Sequence, residues 1–229
     1  MKTLGLVGGT TWLSTIDYYR YINQGINKAL GGHQFARLIL YSLNFGEILA
    51  LNKKGELDGI YILVRDASAR VMEAGAEGIV LCANTLHRFV DQLQNDINAP
   101  IIHIAEATAR EINCKGIPAV GLLGTRYTME EDFITSRLEA ANIEAVIPAK
   151  TDREFLNNVI YDELAKDIFK PETKSRILGI MEKLRQKGVE GVILGCTELP
   201  LIIKDDDYDL PLFDTTAIHA RAAVDFALS

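Results

Sequence analysis

The chain alternates short, uninterrupted apolar runs with longer segments in which apolar residues recur at helical spacing. Runs such as Val192-Ile193-Leu194 are typical of strands covered on both faces, as in parallel sheets. Eight strands are predicted, at residues 3–8, 37–42, 78–82, 101–104, 119–124, 144–148, 191–195 and 211–213. Eight helices are predicted, at 14–30, 58–74, 84–95, 105–114, 128–141, 152–169 (with Asp152 as N-cap), 172–187 and 215–227. This alternation predicts an α/β fold with right-handed crossovers.

Part of the sequence is duplicated. Residues 75–85, GAEGIVLCANT, recur at 188–198 as GVEGVILGCTE, and Cys196 then aligns with Ala83 rather than with Cys82. The run at 5–8, GLVG, recurs at 121–124 as GLLG, so the two offsets are 188 − 75 = 113 and 121 − 5 = 116. Similar offsets predict two pseudo-symmetric Rossmann-like lobes, with parallel sheets flanked by helices and an active-site cleft between them. We expect residues 1–99 plus 210–229 to form the first lobe and 100–209 the second.

Composition and charge favour an ordinary globular protein over a nucleic-acid-binding, membrane, disulfide-rich or metal-binding one. Apolar residues make up 48% and charged residues 24% of the chain, as in ordinary globular proteins. The net charge of −7 argues against a nucleic-acid partner, which would require a basic stripe. No stretch approaches the roughly 20 apolar residues of a membrane span, and no apolar leader follows Met1, so we expect no membrane partner and a cytoplasmic location. Three cysteines without CxxC or Cys/His spacing predict neither a disulfide framework nor a metal site.

Polar and glycine-rich clusters follow several predicted strands. Ligands of open parallel sheets bind beyond the carboxyl ends of the strands, and a following helix offers free N–H groups to an anion. A carboxylate fits these clusters better than a nucleotide, because GxGxxG and GxxxxGK[ST] spacings are absent. The clusters are Gly8-Gly9-Thr10-Thr11, Ala83-Asn84-Thr85, Gly124-Thr125-Arg126-Tyr127-Thr128 and Gly195-Cys196-Thr197-Glu198.

Cys196 is the leading candidate for acid/base chemistry. Isolated cysteines are often small buried hydrophobes, but polar Thr197 and Glu198 directly after a buried strand favour a functional thiol. Its place before a helix predicts that the pKa of this thiol is lowered. Since successive strand residues point to opposite faces, Cys82 is predicted to point into the core unless a bulge rotates it. Lys166 lies in a charged helix, where a solvated face is the ordinary interpretation.

With these motifs, the chain resembles the aspartate/glutamate racemase family along nearly its full length. The resemblance is strongest to the bacterial subgroup acting on L-aspartate and L-glutamate. It rests on residues 8–15 (GGTTWLST), 83–87 (ANTLH), 122–129 (LLGTRYTM), 195–200 (GCTELP) and 213–219 (FDTTAIH).

The resemblance implies an isomerase that needs no pyridoxal phosphate or other cofactor, and a homodimer. Its substrate would be a small dicarboxylic amino acid. In the family mechanism one thiol removes the Cα proton, and a group on the opposite face returns one. The residues implied around the substrate are Thr10, Asn52, Asn84, Thr85, Thr125, Thr128, Lys166, Thr197 and Glu198.

One departure from the family pattern leaves three hypotheses open. The usual first acid/base residue, Cys or Thr directly before Asn-Thr, is Ala83 here, and alanine cannot exchange a proton. Racemisation could persist, with Cys196 on one face and Cys82, Thr85 or a bound water on the other. The fold could instead perform one-sided chemistry, as a decarboxylase or an isomerase, since a related arylmalonate decarboxylase keeps only the second thiol. A non-catalytic binder of acidic amino acids is the third hypothesis.

Overall fold

The computed structural model describes every residue from Met1 to Ser229. The chain folds into two compact units, one comprising Met1–His103 with His219–Ser229 and the other Ile104–Ile218. Each unit contains a four-stranded sheet in which every neighbouring pair of strands is parallel. The prediction of an α/β fold with two parallel sheets flanked by helices is therefore confirmed.

The first unit has the strand order β2-β1-β3-β4. Its strands are β1 (Leu4–Gly8), β2 (Leu38–Ser42), β3 (Gly78–Leu81) and β4 (Ile101–Ile102). Its helices are α1 (Trp12–Leu30), α2 (Phe45–Lys54), α3 (Leu57–Glu73) and α4 (Val90–Asp96), with a 3-10 turn at Asn84–Phe89.

The second unit has the corresponding order β6-β5-β7-β8. Its strands are β5 (Ala119–Leu123), β6 (Glu144–Val146), β7 (Gly191–Leu194) and β8 (Leu212–Asp214). Its helices are α5 (Ile104–Cys114), α6 (Arg126–Glu130), α7 (Asp132–Ala140), α8 (Lys150–Asp162), α9 (Pro171–Arg185) and α10 (Leu199–Ile202), with 3-10 turns at Leu164–Lys166 and Asp205–Asp207. The last helix, α11 (Thr215–Leu228), begins in this unit and continues into the first from His219 onward.

The central strands form because both faces of each sheet are covered. In the first unit Val7 and Ile79 pack with the apolar face of α3. Alternate residues such as Leu6 and Val80 pack on the opposite face, with α1 and the end of α11. This period of two explains why the strand segments carry no polar interruption.

The strand registers of the two units match the sequence duplication. In the first unit Leu4 pairs with Gly78, and in the second Val120 pairs with Gly191. These pairs are related by 120 − 4 = 116 and 191 − 78 = 113, which are the offsets read from the sequence. The repeated segments therefore occupy equivalent positions in two sheets of the same strand order.

The unit boundaries differ from the expected 1–99 plus 210–229 and 100–209. Leu212–Asp214 pairs with β7, so this strand completes the second sheet instead of returning to the first. The chain enters the first unit only at His219. The placement of this strand is decided by its pairing with β7. The short apolar run around Phe213 does not by itself indicate which of the two sheets the strand joins.

Several helices also differ from the sequence expectation. The pattern did not predict α2, which is capped by the Asn44 side chain at its start and by left-handed Gly55 at its end, or the short helix α10. The predicted helix at 128–141 is two helices, because Glu131 adopts an extended conformation (φ −93°, ψ 160°). Asp152 is not an N-cap, since Ala149 occupies that position; Asp152 is instead buried and paired with Lys183 at 2.8 Å.

Candidate active site

In the first unit, the loop after β1 is held by close backbone packing. Gly9 has φ +85°, and its N–H donates to the Thr15 hydroxyl at 2.9 Å. Thr11 then caps α1 by accepting the Ser14 N–H. Thr10 lies between Gly9 and Thr11. Its side chain is buried, and its Oγ1 has no hydrogen-bond partner. A buried hydroxyl without a partner costs free energy, so a hydrogen bond from Thr10 Oγ1 to a polar ligand would be favourable.

The segment after β3 carries the position aligned with Cys196. Ala83 is half-buried and extended (φ −157°, ψ 141°), directly before the 3-10 turn. Asn84 is buried and Thr85 half-buried in the first positions of that turn. The methyl group of Ala83 can neither accept nor donate a proton, so this polar segment has no acid/base group of its own at position 83.

Cys82 lies in the core of the first unit. Its side chain is fully buried among residues of α1 and the end of α11, and its thiol lies 3.7 Å from the Val80 carbonyl oxygen. Burial raises the pKa of the Cys82 thiol far above its ordinary value. A neutral thiol enclosed by apolar side chains has the environment of a structural cysteine.

Asn52 and Lys166 lie in different environments. Asn52 is on α2, and its Oδ1 is buried without a hydrogen-bond partner, as is Thr10 Oγ1. Lys166 ends a 3-10 turn of the second unit with its side chain 60% exposed, 3.7 Å from the Asp162 carboxylate. Asn52 thus has a polar atom available to a ligand, whereas Lys166 has the solvated environment that its charged helix indicated. Their roles toward substrate stay predictions.

In the second unit, a threonine cap follows β5. Thr125 caps α6, accepting the Thr128 N–H, and the two hydroxyl oxygens lie 3.2 Å apart. Both threonines are buried. A Cβ at Gly124 would lie 2.9 Å from the Gly195 carbonyl oxygen, so glycine is needed where the β5 and β7 loops approach each other.

The segment after β7 brings three predicted residues into one hydrogen-bonded group. Cys196 Sγ donates to Glu198 Oε2 at 2.8 Å, and Thr197 Oγ1 donates to the same oxygen at 2.8 Å. All three side chains are buried. We call Cys196, Thr197 and Glu198 the thiol–carboxylate group.

The electrostatics of this group hold the thiol neutral. Burial is the largest cause that raises the pKa of Cys196, followed by the negative charge of Glu198 and the hydrogen bond to it. Backbone N–H groups of Glu198 and Thr197 act in the opposite direction. The expectation that a helix N-terminus lowers the pKa of this thiol is therefore wrong for the protein without ligand, because desolvation and the adjacent carboxylate outweigh the backbone donors.

Tyr161 is a neighbour of the group that the sequence did not reveal. It lies on α8, half-buried, and burial together with the charges of Cys196, Tyr127 and Glu198 raises its pKa to about 12. The hydroxyl is therefore protonated at neutral pH and can donate a hydrogen bond. Its position 35 residues before Cys196 (196 − 161 = 35) forms no motif, so only the packing of α8 identifies it.

Thr216 is a second residue without an assigned role. It follows β8, next to Thr215, whose hydroxyl donates to the Leu194 carbonyl oxygen at the end of β7. Thr216 is 2% exposed and its Oγ1 has no hydrogen-bond partner. The sequence motif around it pointed to this strand end, but the partnerless hydroxyl is visible only in the structure.

Three of the four histidines form a buried cluster in the first unit. The ring of His87 lies 4.9 Å from that of His103 and 5.1 Å from that of His219. His219 also joins Tyr18 and the Ile102 carbonyl oxygen, each at 2.7 Å. Because Ile102 offers only an acceptor, His219 donates from Nε2 and accepts the Tyr18 hydroxyl at Nδ1. These rings are core residues, and no group of His, Cys, Asp or Glu is arranged to hold a metal ion.

No helix of this protein combines the length and the hydropathy that are needed to cross a bilayer.

Three comparisons relate this arrangement to known proteins. The fold matches a candidate Asp/Glu racemase of Yersinia pestis with 46% identity and a TM-score of 0.94, over 100% of both chains. It matches an aspartate racemase homologue from Pyrococcus horikoshii OT3 with 39% identity and a TM-score of 0.87, again over 100% of both chains. A broad specificity amino-acid racemase of Bacillus subtilis, RacX, is 24% identical over 159 residues, covering 69% of this chain and 68% of the relative.

The sequence profile of one family spans most of the chain. It is described as Asp/Glu/Hydantoin racemase and matches residues 7–223, which include the loop after β1, the segment after β3 and the thiol–carboxylate group. The resemblance found in the sequence motifs is confirmed, and the chain belongs to the Asp/Glu/Hydantoin racemase family.

Proposed function

We propose that this protein exchanges the Cα proton of an acidic amino acid, aspartate or glutamate, with Cys196 as the acid/base thiol and without a cofactor. One observation carries the proposal: the buried Cys196 thiol at the end of β7 is hydrogen-bonded to the Glu198 carboxylate, which can accept its proton. A thiol isolated in the core, such as Cys82, lacks such a partner side chain.

The substrate class follows from the polar groups and from the relatives. Thr10 Oγ1 and Asn52 Oδ1 are buried polar atoms without partners, and the Thr125 and Thr128 hydroxyls cap a helix start. Such groups suit the carboxylates and ammonium group of a dicarboxylic amino acid. Further contacts in this proposal come from Asn84, Thr85, Thr197 and Lys166. The Pyrococcus protein that is 39% identical is described as an aspartate racemase homologue, which supports an acidic substrate.

Removing a Cα proton is slow mainly because negative charge must develop on the substrate carboxylate, which costs free energy. Donors aimed at that carboxylate stabilise the transition state more than the ground state. The threonine hydroxyls are such donors in this proposal. Cys196 takes the proton, and the proton that returns restores the amino acid.

The second candidate function is one-sided chemistry, favoured by Ala83. An acid/base group missing from one face removes a factor of about 10²–10⁴ from proton transfer at that face. Cys196 could then remove and return protons on the same face, or protonate an enediolate left by decarboxylation. A binder of acidic amino acids without turnover is the remaining outcome. A cytoplasmic location and a homodimer, of which the family resemblance implies the homodimer, are also part of the proposal; light scattering coupled to size exclusion tests the dimer.

Incubation in D₂O separates these functions. L-Aspartate and L-glutamate are incubated with the protein, and Cα deuteration is followed by NMR while chiral chromatography follows configuration. Deuteration with inversion supports racemisation, and deuteration with retained configuration supports one-sided exchange. Absence of deuteration together with saturable binding by calorimetry would favour the binder.

The assignment of Cys196 is tested in the same assay. Cys196→Ala should abolish deuterium incorporation, whereas Cys114→Ala, at an exposed position at the end of α5, should leave it unchanged. Unchanged incorporation in the folded Cys196→Ala variant would refute the assignment.

A further inference from the structure

We propose that Glu198 is a positioning residue that keeps Cys196 as a neutral thiol at rest and accepts its proton when the thiol acts on substrate. The claim that Glu198 accepts a proton during turnover rests on the proposed function. The claim that Glu198 keeps the thiol neutral concerns the protein without substrate and stands independently. It assigns Glu198 to the thiol, in place of the substrate contact that the family resemblance implied.

The hydrogen-bond geometry makes Glu198 the acceptor of the group. An ionised carboxylate has no proton to give, so both bonds to Oε2 must be donated, by Cys196 Sγ–H and by Thr197 Oγ1–H, each at 2.8 Å. The carboxylate is 3% exposed, so water cannot replace these donors freely. The hydrogen bond from Thr197 holds the carboxylate in place, so that the S–H group of Cys196 points toward Oε2.

Other titratable groups interact electrostatically with the pair. Tyr161 on α8 interacts in this way with both Cys196 and Glu198, and also with Tyr127 and Arg126 on α6. Arg126 is the one cation among these neighbours, and it is exposed. The negative charge of Glu198 raises the pKa of the buried Cys196 thiol and so opposes the formation of a thiolate beside it.

The proton steps balance without an external base. As the Cα–H bond breaks, a new S–H bond forms with that proton, and the proton first carried by sulfur moves to Glu198 Oε2. The negative charge passes from Glu198 to the substrate as its carbanion or enediolate. Return of a proton from sulfur to Cα, with the Oε2 proton moving back to sulfur, restores the resting group. Since both protons lie on the side of Cys196, this relay accounts for proton exchange even though position 83 is an alanine.

Removing the Glu198 charge should lower two measured quantities at once. In Glu198→Gln the amide oxygen can still accept a hydrogen bond from the thiol but cannot take up its proton, so we expect Cα deuteration to fall by about 10²-fold or more. The same change removes the charge that opposes thiolate formation, so the apparent pKa of Cys196 alkylation should fall by about one unit or more. A residue that only supports the fold or contacts the substrate would not lower that pKa.

Alkylation is measured with iodoacetamide as a function of pH, and modification of the Cys196 peptide is quantified by mass spectrometry. The ¹³Cβ shift of labelled cysteine reports the same ionisation by NMR where the reagent reaches the thiol slowly. Glu190→Gln is the matched control, because Glu190 is an exposed glutamate of the same unit. Glu198→Asp keeps a carboxylate one methylene shorter and should retain part of the exchange rate and the high thiol pKa.

The outcomes separate this inference from the proposed function. A lower thiol pKa in Glu198→Gln, with near wild-type values in Glu190→Gln, supports the inference. An unchanged or higher thiol pKa in folded Glu198→Gln overturns it, as does undiminished Cα exchange. If the wild-type protein exchanges no Cα proton, the proposed function fails, and the thiol titration alone then decides whether Glu198 controls Cys196.

Discussion

Cys82 and Gly195 are equivalent residues, each directly after a central strand of its sheet. Cys82 donates its backbone N–H to the Val7 carbonyl oxygen at 2.9 Å, and Gly195 donates to the Leu123 carbonyl oxygen at 2.7 Å. Val7 and Leu123 hold the same place in their own strands, since 123 − 7 = 116. The next residue along each chain segment is Ala83 in one unit and Cys196 in the other. The duplication therefore carries a thiol at this position in only one copy.

Restoring an acid/base group at position 83 should increase racemisation. The extended backbone of Ala83 (φ −157°) accepts any L-residue, so Ala83→Thr and Ala83→Cys are expected to fold. We expect inversion in the chiral assay to rise by about 10-fold or more, because position 83 then carries a group that can exchange a proton, as the equivalent position 196 does. Ala83→Val, which has the shape of threonine without its hydroxyl, is the control. An equal gain in the valine variant, or no gain in a folded threonine variant, would contradict the argument from the duplication.

Removing the Tyr161 hydroxyl should alter chemistry more than stability. In Tyr161→Phe the ring remains, so the free energy of unfolding should change by less than about 1 kcal/mol. Loss of this hydroxyl, which interacts electrostatically with Cys196 and Glu198, should lower kcat by about 10-fold, with a smaller effect on KM. Tyr208→Phe is the control, because its hydroxyl bonds Glu182 in the same unit. Steady-state kinetics on both variants measure the difference, and equal kcat in Tyr161→Phe and wild type would show that Tyr161 lies outside the chemistry.

Acid should destabilise the first unit through its histidine cluster. Burial lowers the pKa of His219 from 6.5 to about 3, and burial with neighbouring His219 and His103 lowers the pKa of His87 well below 6.5. Because the folded pKa lies below the unfolded one, the unfolded chain binds more protons and stability falls as pH drops below about 6.5. Each such histidine should cost about 1.4 kcal/mol per pH unit in that window.

Urea unfolding between about pH 7.5 and 4 measures this loss across the window set by these pKa shifts. His219→Gln should be less stable at neutral pH, since Tyr18 and Ile102 lose their partner, but its stability should fall less steeply with acid. His33→Gln, at an exposed position, should keep the wild-type slope. A His219→Gln slope equal to that of wild type would show that this ring is not the source of the acid sensitivity.

Gly9 should tolerate no side chain. It has φ +85°, and a Cβ there would collide with the Leu43 carbonyl oxygen. Gly9→Ala should therefore destabilise the protein by about 1–3 kcal/mol and displace Thr10. Gly188→Ala is the matched control, because Gly188 has φ +90° but no atom within 4 Å of the place that a Cβ would occupy. If thermal or urea unfolding gives equal losses for both variants, the close approach to Leu43 is unimportant.

The strands, the parallel sheets and the internal repeat could be predicted from the order of residues. Buried central strands such as β1 and β7 need uninterrupted apolar residues, and that requirement is visible locally in the chain. The offsets of 113 and 116 predicted the equivalence of Ala83 and Cys196, because the residues after equivalent strands keep the register of those strands. The helix break at Glu131 and the short helix α10 left no periodic signal that could be read.

The environment of the thiol, in contrast, arises from folding. The sequence predicted a lowered pKa for Cys196 from its place before a helix, but burial and the nearby Glu198 carboxylate act in the other direction and outweigh the backbone donors. Tyr161 on α8 interacts electrostatically with this group, and β8 joins the second sheet through its pairing with β7. Desolvation and contacts between distant segments depend on what surrounds a side chain after folding, and no local pattern of residues encodes them.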